Sequence, residues 1–289
     1  MPRDILTAIQ NQMPSFSKGQ RLIARFILDS YDKAAFMTAS RLGKTVNVSE
    51  STVVRFAAEL GYDGYPSMQK ALQEMIRGKL TSIQRMEVAN DRIGDQDVLS
   101  TVLQADMEKI RLTLEETDRE DFDQAVDAIL SARRIYIVGA RSAAALAEFL
   151  GFYFRLIFDE VVLVQTTSVS GTFEQMLRVG EKDVVIGISF PRYSSQTVQA
   201  MRFARDRGAR VLAITDSAAS PLTGTASVTL TAKSDMASFV DSLVAPLSLI
   251  NALIVAVGRR KKTDVSRTFS TLERIWSDYG VYEQAEEEN

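Results

Sequence analysis

RLGKTVNVSESTVVRFAAELGY (residues 41–62) reads as two short helices joined by a tight turn. Helices that cross steeply need a small residue where they approach, and Gly43 supplies it. Four residues on, the turn needs a residue that tolerates φ > 0, and Asn47 is the best choice after glycine. Val48 then plugs the underside of the turn, and Ser49 is placed to cap the second helix. Val53, Phe56, Ala57 and Leu60 recur at i, i+3, i+4, i+7 and form one apolar face. The first turn and opposite face carry Ser49, Glu50, Ser51, Thr52 and Arg55. Short hydroxyls reach phosphates or base edges, and Arg offers guanine a bidentate match, so this is the composition of a helix that enters a DNA major groove. An ordinary helical hairpin with a solvated face is the alternative.

Outward from this stretch, the first ~80 residues read as all-helical. Ser17 is placed to cap a helix whose apolar face is Leu22, Ile23, Phe26 and Ile27. Helices are expected over 38–44 and 49–60, with Gly61 as an αL terminator. Residues 1–80 hold 11 Lys and Arg against 7 Asp and Glu, whereas the remainder holds 23 against 30. A basic front unit on an acidic body fits a polyanion partner for the front unit alone.

A further helix is expected over 97–117, and Thr117 with Glu120 makes a capping-box pattern for the next. After it come five short runs rich in β-branched residues: 134–139, 161–164, 183–189, 210–215 and 227–232. Each is separated from the next by enough chain for a helix, the rhythm of a parallel sheet covered on both faces. The run LVAPLSLINALIVAV (243–257) is shorter than the ~20 residues of a membrane span and is interrupted by Pro246, Ser248 and Asn251. It is expected as a core helix or a subunit contact. The start has an Asp at position 4 and no sustained apolar stretch, unlike a secretory signal. A cytoplasmic protein with no membrane partner is expected.

The chain of 289 residues holds no Cys and no His. That excludes disulfides, thiolate zinc sites, imidazole metal sites and Ser-His-Asp chemistry. No Walker loop is present, and no cofactor is expected.

Ligands of open parallel sheets sit beyond the carboxyl ends of the strands, where helix amino termini face outward. Three strand ends carry suitable groups: Gly139, Arg141 and Ser142; then Ser189, Arg192, Ser194 and Thr197; then Thr215, Asp216 and Ser217. Hydroxyls and free amides there suit a phosphate, with Arg141 or Arg192 adding charge. Helix capping is the competing role for each Ser or Thr.

The stretches SKGQRLIARFILDS, 42–48 and STVVRFAAELGYDGYPSMQKAL, with the sheet behind them, resemble the RpiR family of bacterial transcription regulators. The resemblance implies an all-α helix-turn-helix domain followed by an α/β three-layer parallel-sheet SIS (sugar isomerase, flavodoxin-like) domain. It puts the recognition role on Ser49, Ser51, Thr52 and Arg55 and makes the turn of Tyr62 and Tyr65 a packing element. It implies a SIS domain that binds phosphosugars, whose S-x-S-G-x-T motif aligns with 189–194 when Gly208 precedes the next strand. Ser189 matches, Ser194 stands for the Thr, and Pro191 and Arg192 replace Ser and Gly. In the first loop the family's G-x-G-x-S becomes Gly139, Ala140, Arg141, Ser142, Ala143. The added guanidiniums suit a tighter phosphate, a carboxylate-bearing ligand, or a salt bridge that fills the site.

The expected division is 1–79 for DNA binding, 80–116 as a helical linker and 117–289 for the ligand. Isomerisation needs an acid and a base, commonly Glu with His. With no His, and Glu174 the one nearby carboxylate, a sensor is expected rather than a sugar-phosphate isomerase with a helical appendage. The expected partners are a double-stranded DNA operator, a phosphosugar or sugar-acid effector, and further copies of the chain in a homodimer or homotetramer.

Overall fold

The computed structural model describes residues 5–76, 81–93, 97–166, 168–234 and 240–282. They fall into two compact units, the first holding the residues up to Thr101 together with Val240, the second the rest from Val102 onward.

The first unit is helical, with α1 (Ile5–Gln12), α2 (Lys18–Asp29), α3 (Tyr31–Ala34), α4 (Ala39–Thr45), α5 (Glu50–Glu59), α6 (Tyr65–Ile76) and α7 (Ser82–Ile93). Ser17 caps α2 in a reciprocal capping box with Gln20. Ile23 and Ile27 are buried, whereas Leu22, expected on the same face, is 41% exposed. The buried stripe of α2 runs through Gln20, Ile23, Ala24 and Ile27, and Leu22 lies one step off it. Tyr65 is buried, and its hydroxyl donates to the Met37 carbonyl at 2.6 Å. Burial pushes its pKa up to about 12. Tyr62 packs on the same core, so both tyrosines are packing residues, as expected.

Helix α8 (Val98–Glu116) begins in the last residues of the first unit, runs on into the second and leads to α9 (Arg119–Ser131). Asp118, not Thr117, caps α9, accepting from the amides of Glu120 and Asp121. The Thr117 hydroxyl instead donates back to the Thr113 carbonyl at 2.6 Å, which closes α8. The sheet follows: β1 (Arg134–Gly139), α10 (Ala143–Arg155), β2 (Val161–Val164), α11 (Val169–Gln175), β3 (Asp183–Ile188), α12 (Ser195–Asp206), β4 (Arg210–Thr215) and β5 (Val228–Thr231). All five strands are parallel in the order β2-β1-β3-β4-β5. The central strand β3 is buried throughout, which explains its apolar run from Val184 to Ile188. At its amino end the buried Asp183 accepts from Arg133 Nε and Nη2 at 2.9 and 2.8 Å and from the Gly180 amide at 2.9 Å.

Two helices finish the chain, α13 (Val244–Arg260) and α14 (Lys262–Asp278). Leu249, Ile250, Leu253 and Val257 of α13 are buried in the core of the sheet domain, while Val244 and Val255 remain exposed. Among the described residues no helix is long and apolar enough to cross a membrane.

Candidate functional site

The turn between α4 and α5 has the geometry its residues require. Asn47 has φ +56°, and the Val48 amide donates to the Gly43 carbonyl at 2.8 Å. A Cβ on Gly43 would lie 2.8 Å from the Val48 carbonyl oxygen, too close to fit without backbone movement. Ser49 caps α5 by accepting from the Thr52 amide at 3.3 Å, and its hydroxyl lies 2.9 Å from Ser51 Oγ and 2.8 Å from Thr52 Oγ1. Ser49, Glu50, Ser51 and Arg55 lie together at the start of α5, and all four are exposed. Arg55 Nε donates to the Ser51 carbonyl at 3.3 Å, which lays the guanidinium back along the helix. Thr52 is only half exposed, and its methyl faces Gly19 at the start of α2, so it also packs. Beside this surface Val54 is 43% exposed, and Lys18 and Lys44 are exposed as well. Lys18 is hidden from sequence reading by its distance from the recognition stretch, and Val54 reads as an ordinary helix residue.

At the other end of the chain, the register aligns Gly139 with Ile188 across β1 and β3. The loops that follow them are therefore neighbours, since paired strands run ~4.8 Å apart. Gly139 is obligatory, because a Cβ there would meet the Ala143 carbonyl oxygen at 2.6 Å. Arg141 and Arg192, which stand where the aligned motif has glycine, have φ +59° and +63°. Both loops thus keep a glycine backbone while bearing guanidiniums, and both side chains are exposed. An L-residue held there costs about 1–2 kcal/mol.

The competition between capping and ligand roles divides residue by residue. Ser142 occupies the cap position of α10, but its backbone is already helical and its side chain makes no capping hydrogen bond. Ser194 is a cap, accepting from the Thr197 amide at 3.3 Å. Ser189 is buried and accepts from the Ser194 amide at 3.0 Å, bracing the loop from below. Thr197 is fully buried, and its hydroxyl oxygen has no hydrogen-bond partner among the described residues.

The β3 loop is tied on both flanks. Tyr193 donates its hydroxyl to Asp216 at 2.8 Å, and the Thr215 hydroxyl donates to the Ser189 carbonyl at 2.8 Å. On the other side Gln196 donates to the Thr172 hydroxyl at 2.8 Å. Sequence reasoning misses Tyr193 and Gln196, because nothing local marks them and their partners lie 23 and 24 residues away. It also misses the hydroxyls of Thr166, Ser168 and Ser170 beyond β2, although their density is visible in the chain. Glu174 is exposed on α11.

Residues 3–79 match the helix-turn-helix domain of the rpiR family, and residues 128–256 match the SIS domain. The chain belongs to the RpiR family of transcription regulators. An uncharacterized HTH-type transcriptional regulator of Caldanaerobacter subterraneus is 23% identical, over 95% of this chain and 97% of that one. The HTH-type transcriptional regulator HexR of Escherichia coli is 26% identical over 89% of each. The sugar isomerase domain of an RpiR transcription factor from Sphaerobacter thermophilus is 27% identical, covers 62% of this chain and 99% of its own, and superimposes with a TM-score of 0.59. The Vibrio vulnificus NanR protein shares the fold over 94% of this chain and 98% of its own, at a TM-score of 0.58 and 20% identity. This RpiR-family chain is therefore a helix-turn-helix regulator with a SIS domain, not an isomerase.

Proposed function

We propose that the protein represses a sugar or related catabolic operon and lets go of it when an anionic sugar metabolite binds the SIS domain. Residues 1–79 read the operator, 80–116 link, and 117–289 sense. Ser49, Glu50, Ser51, Thr52 and Arg55 form the DNA-facing set. Gly139, Arg141, Ser142, Ser189, Arg192, Ser194 and Thr197 form the effector set, with the buried Ser189 and Thr197 shaping the loop and the exposed groups meeting the ligand. The observation that carries this reading is the pair of left-handed arginines on adjacent strand crests. Strained side chains persist where the strain serves a purpose, and two cations beside hydroxyls and a helix start suit a phosphorylated sugar or sugar acid. NanR, of the same fold, is complexed with ManNAc-6P, which fits a phosphosugar.

The effector and operator sites are coupled, so each must change the other's affinity by the same factor. Thermal shift against sugar phosphates and sugar acids identifies the class, since a ligand of the folded state raises apparent stability. Operator binding is then measured with and without the hit. Ser142→Ala is the clean variant, because Ser142 caps nothing. It weakens the effector response and leaves operator binding of the free protein unchanged. A normal response in Ser142→Ala and Arg141→Ala alike would move the effector away from this crest.

A further inference from the structure

Helix α5 buries Val53, Phe56 and Ala57 in the helical core. At about 100° per residue its opposite side runs through Ser51 and Ala58, with Val54 on one flank of that line and Arg55 on the other. All four are exposed. Val54 is 43% exposed and stands outside the cluster of side chains that forms this core. A β-branched valine is also a poorer helix former than alanine, lysine or glutamate. Neither packing nor helix propensity therefore accounts for an isopropyl group at this position.

What this side chain meets follows from its surroundings. Glu50 and Ser51 border it one turn back and Ala58 one turn on. A single isopropyl group in that setting is too small for a protein interface, which takes a contiguous apolar patch. A phosphate offers it nothing apolar, and the Glu50 carboxylate on the same flank repels one. The edges of the bases in a major groove carry one apolar group, the C5-methyl of thymine, and small aliphatic side chains pack against it. Val54 lies in the amino-terminal half of α5, the part of a recognition helix that reaches base edges. Arg55 on the other flank suits guanine, so the two neighbours answer to different chemistry.

We infer that Val54 packs on the C5-methyl of one operator thymine and makes that position of the site specific for thymine. The inference rests on α5 being the DNA-facing helix and adds an apolar contact to its polar set. The test uses the full chain and the duplex it selects from a random-sequence pool. Each thymine of that duplex is replaced in turn by deoxyuridine, which keeps every hydrogen-bonding group and deletes the methyl alone. At one thymine per α5 footprint, binding of the wild-type chain weakens about fourfold, the worth of one buried methyl. Val54→Ala, at an exposed position and so with unchanged circular dichroism, binds the thymine duplex several-fold more weakly. It no longer distinguishes thymine from deoxyuridine there, because the two deletions remove the same contact. A selected duplex without thymine, a wild-type chain indifferent to every deoxyuridine, or a Val54→Ala chain as sensitive as wild type would each overturn the inference. Arg55→Ala tells that failure from failure of the underlying reading. If it weakens binding, α5 stays on the DNA and only the methyl contact is lost; if it does not, α5 comes off the DNA and the inference goes with it.

Discussion

Replacing Arg141 by glycine pits two effects against each other, and the structure sets their sizes. At φ +59° an L-residue pays about 1–2 kcal/mol that glycine does not. Glycine in turn loses about 0.5–1 kcal/mol through the freedom it gives the unfolded chain. The exposed guanidinium has no steric role to lose, so Arg141→Gly should stabilise the SIS domain by about 0.5–1 kcal/mol. That raises its Tm by roughly 1–4 °C for a unit of this size. A charge-assisted hydrogen bond to an anionic ligand is worth about 1.5–3 kcal/mol, so effector affinity should fall about ten- to a hundredfold. Calorimetry of the free protein and titration with the best sugar phosphate or sugar acid read the two effects separately. A drop in Tm would mean that Arg141 holds the fold together; unchanged affinity would mean that it does not touch the ligand. Either outcome refutes the idea that strain is kept there for binding.

Gly43→Ala drives a methyl to within 2.8 Å of the Val48 carbonyl oxygen and should cost about 1–3 kcal/mol, with operator binding lost in mobility-shift assays. Arg55→Ala should cost about 1–3 kcal/mol of specific operator affinity and relax preference at one base pair, which a panel of operator variants would measure. Tyr65 has a folded pKa above its ordinary value of 10, so it favours the folded state below pH 10 and loses that contribution as pH rises toward 12. Alkaline unfolding of the helical unit should begin in that window. Tyr65→Phe should blunt the pH dependence while costing about 1 kcal/mol through the lost bond to Met37. Asp183→Ala removes three hydrogen bonds from a buried carboxylate and should destabilise the sheet by about 2–3 kcal/mol in urea melts, the partly exposed Arg133 being left to solvent.

Much of this is legible in the chain because it is local. The steep helix crossing needs Gly43 and Asn47 within five residues, and a buried central strand needs an unbroken apolar run such as 184–188. What escapes sequence reading depends on partners far along the chain. Thr117 and Asp118 are adjacent and either could cap α9, and the choice between them follows from the end of α8, which claims the Thr117 hydroxyl. The helix over 97–117 is legible as a helix, but the burial of Lys109 and Thr113 shows only through Asp106 and Lys233. The backbone at Arg141 and Arg192 is hidden too, since neither residue type signals a left-handed turn.

The loop after β3 is tied on both flanks, through Ser189, Tyr193 and Gln196. Positions 141 and 192 share a left-handed backbone, where an L-residue is held at a cost of about 1–2 kcal/mol. If these two positions meet the effector as proposed, exchanging their side chains would change the inducer while the ties from Ser189, Tyr193 and Gln196 stay in place.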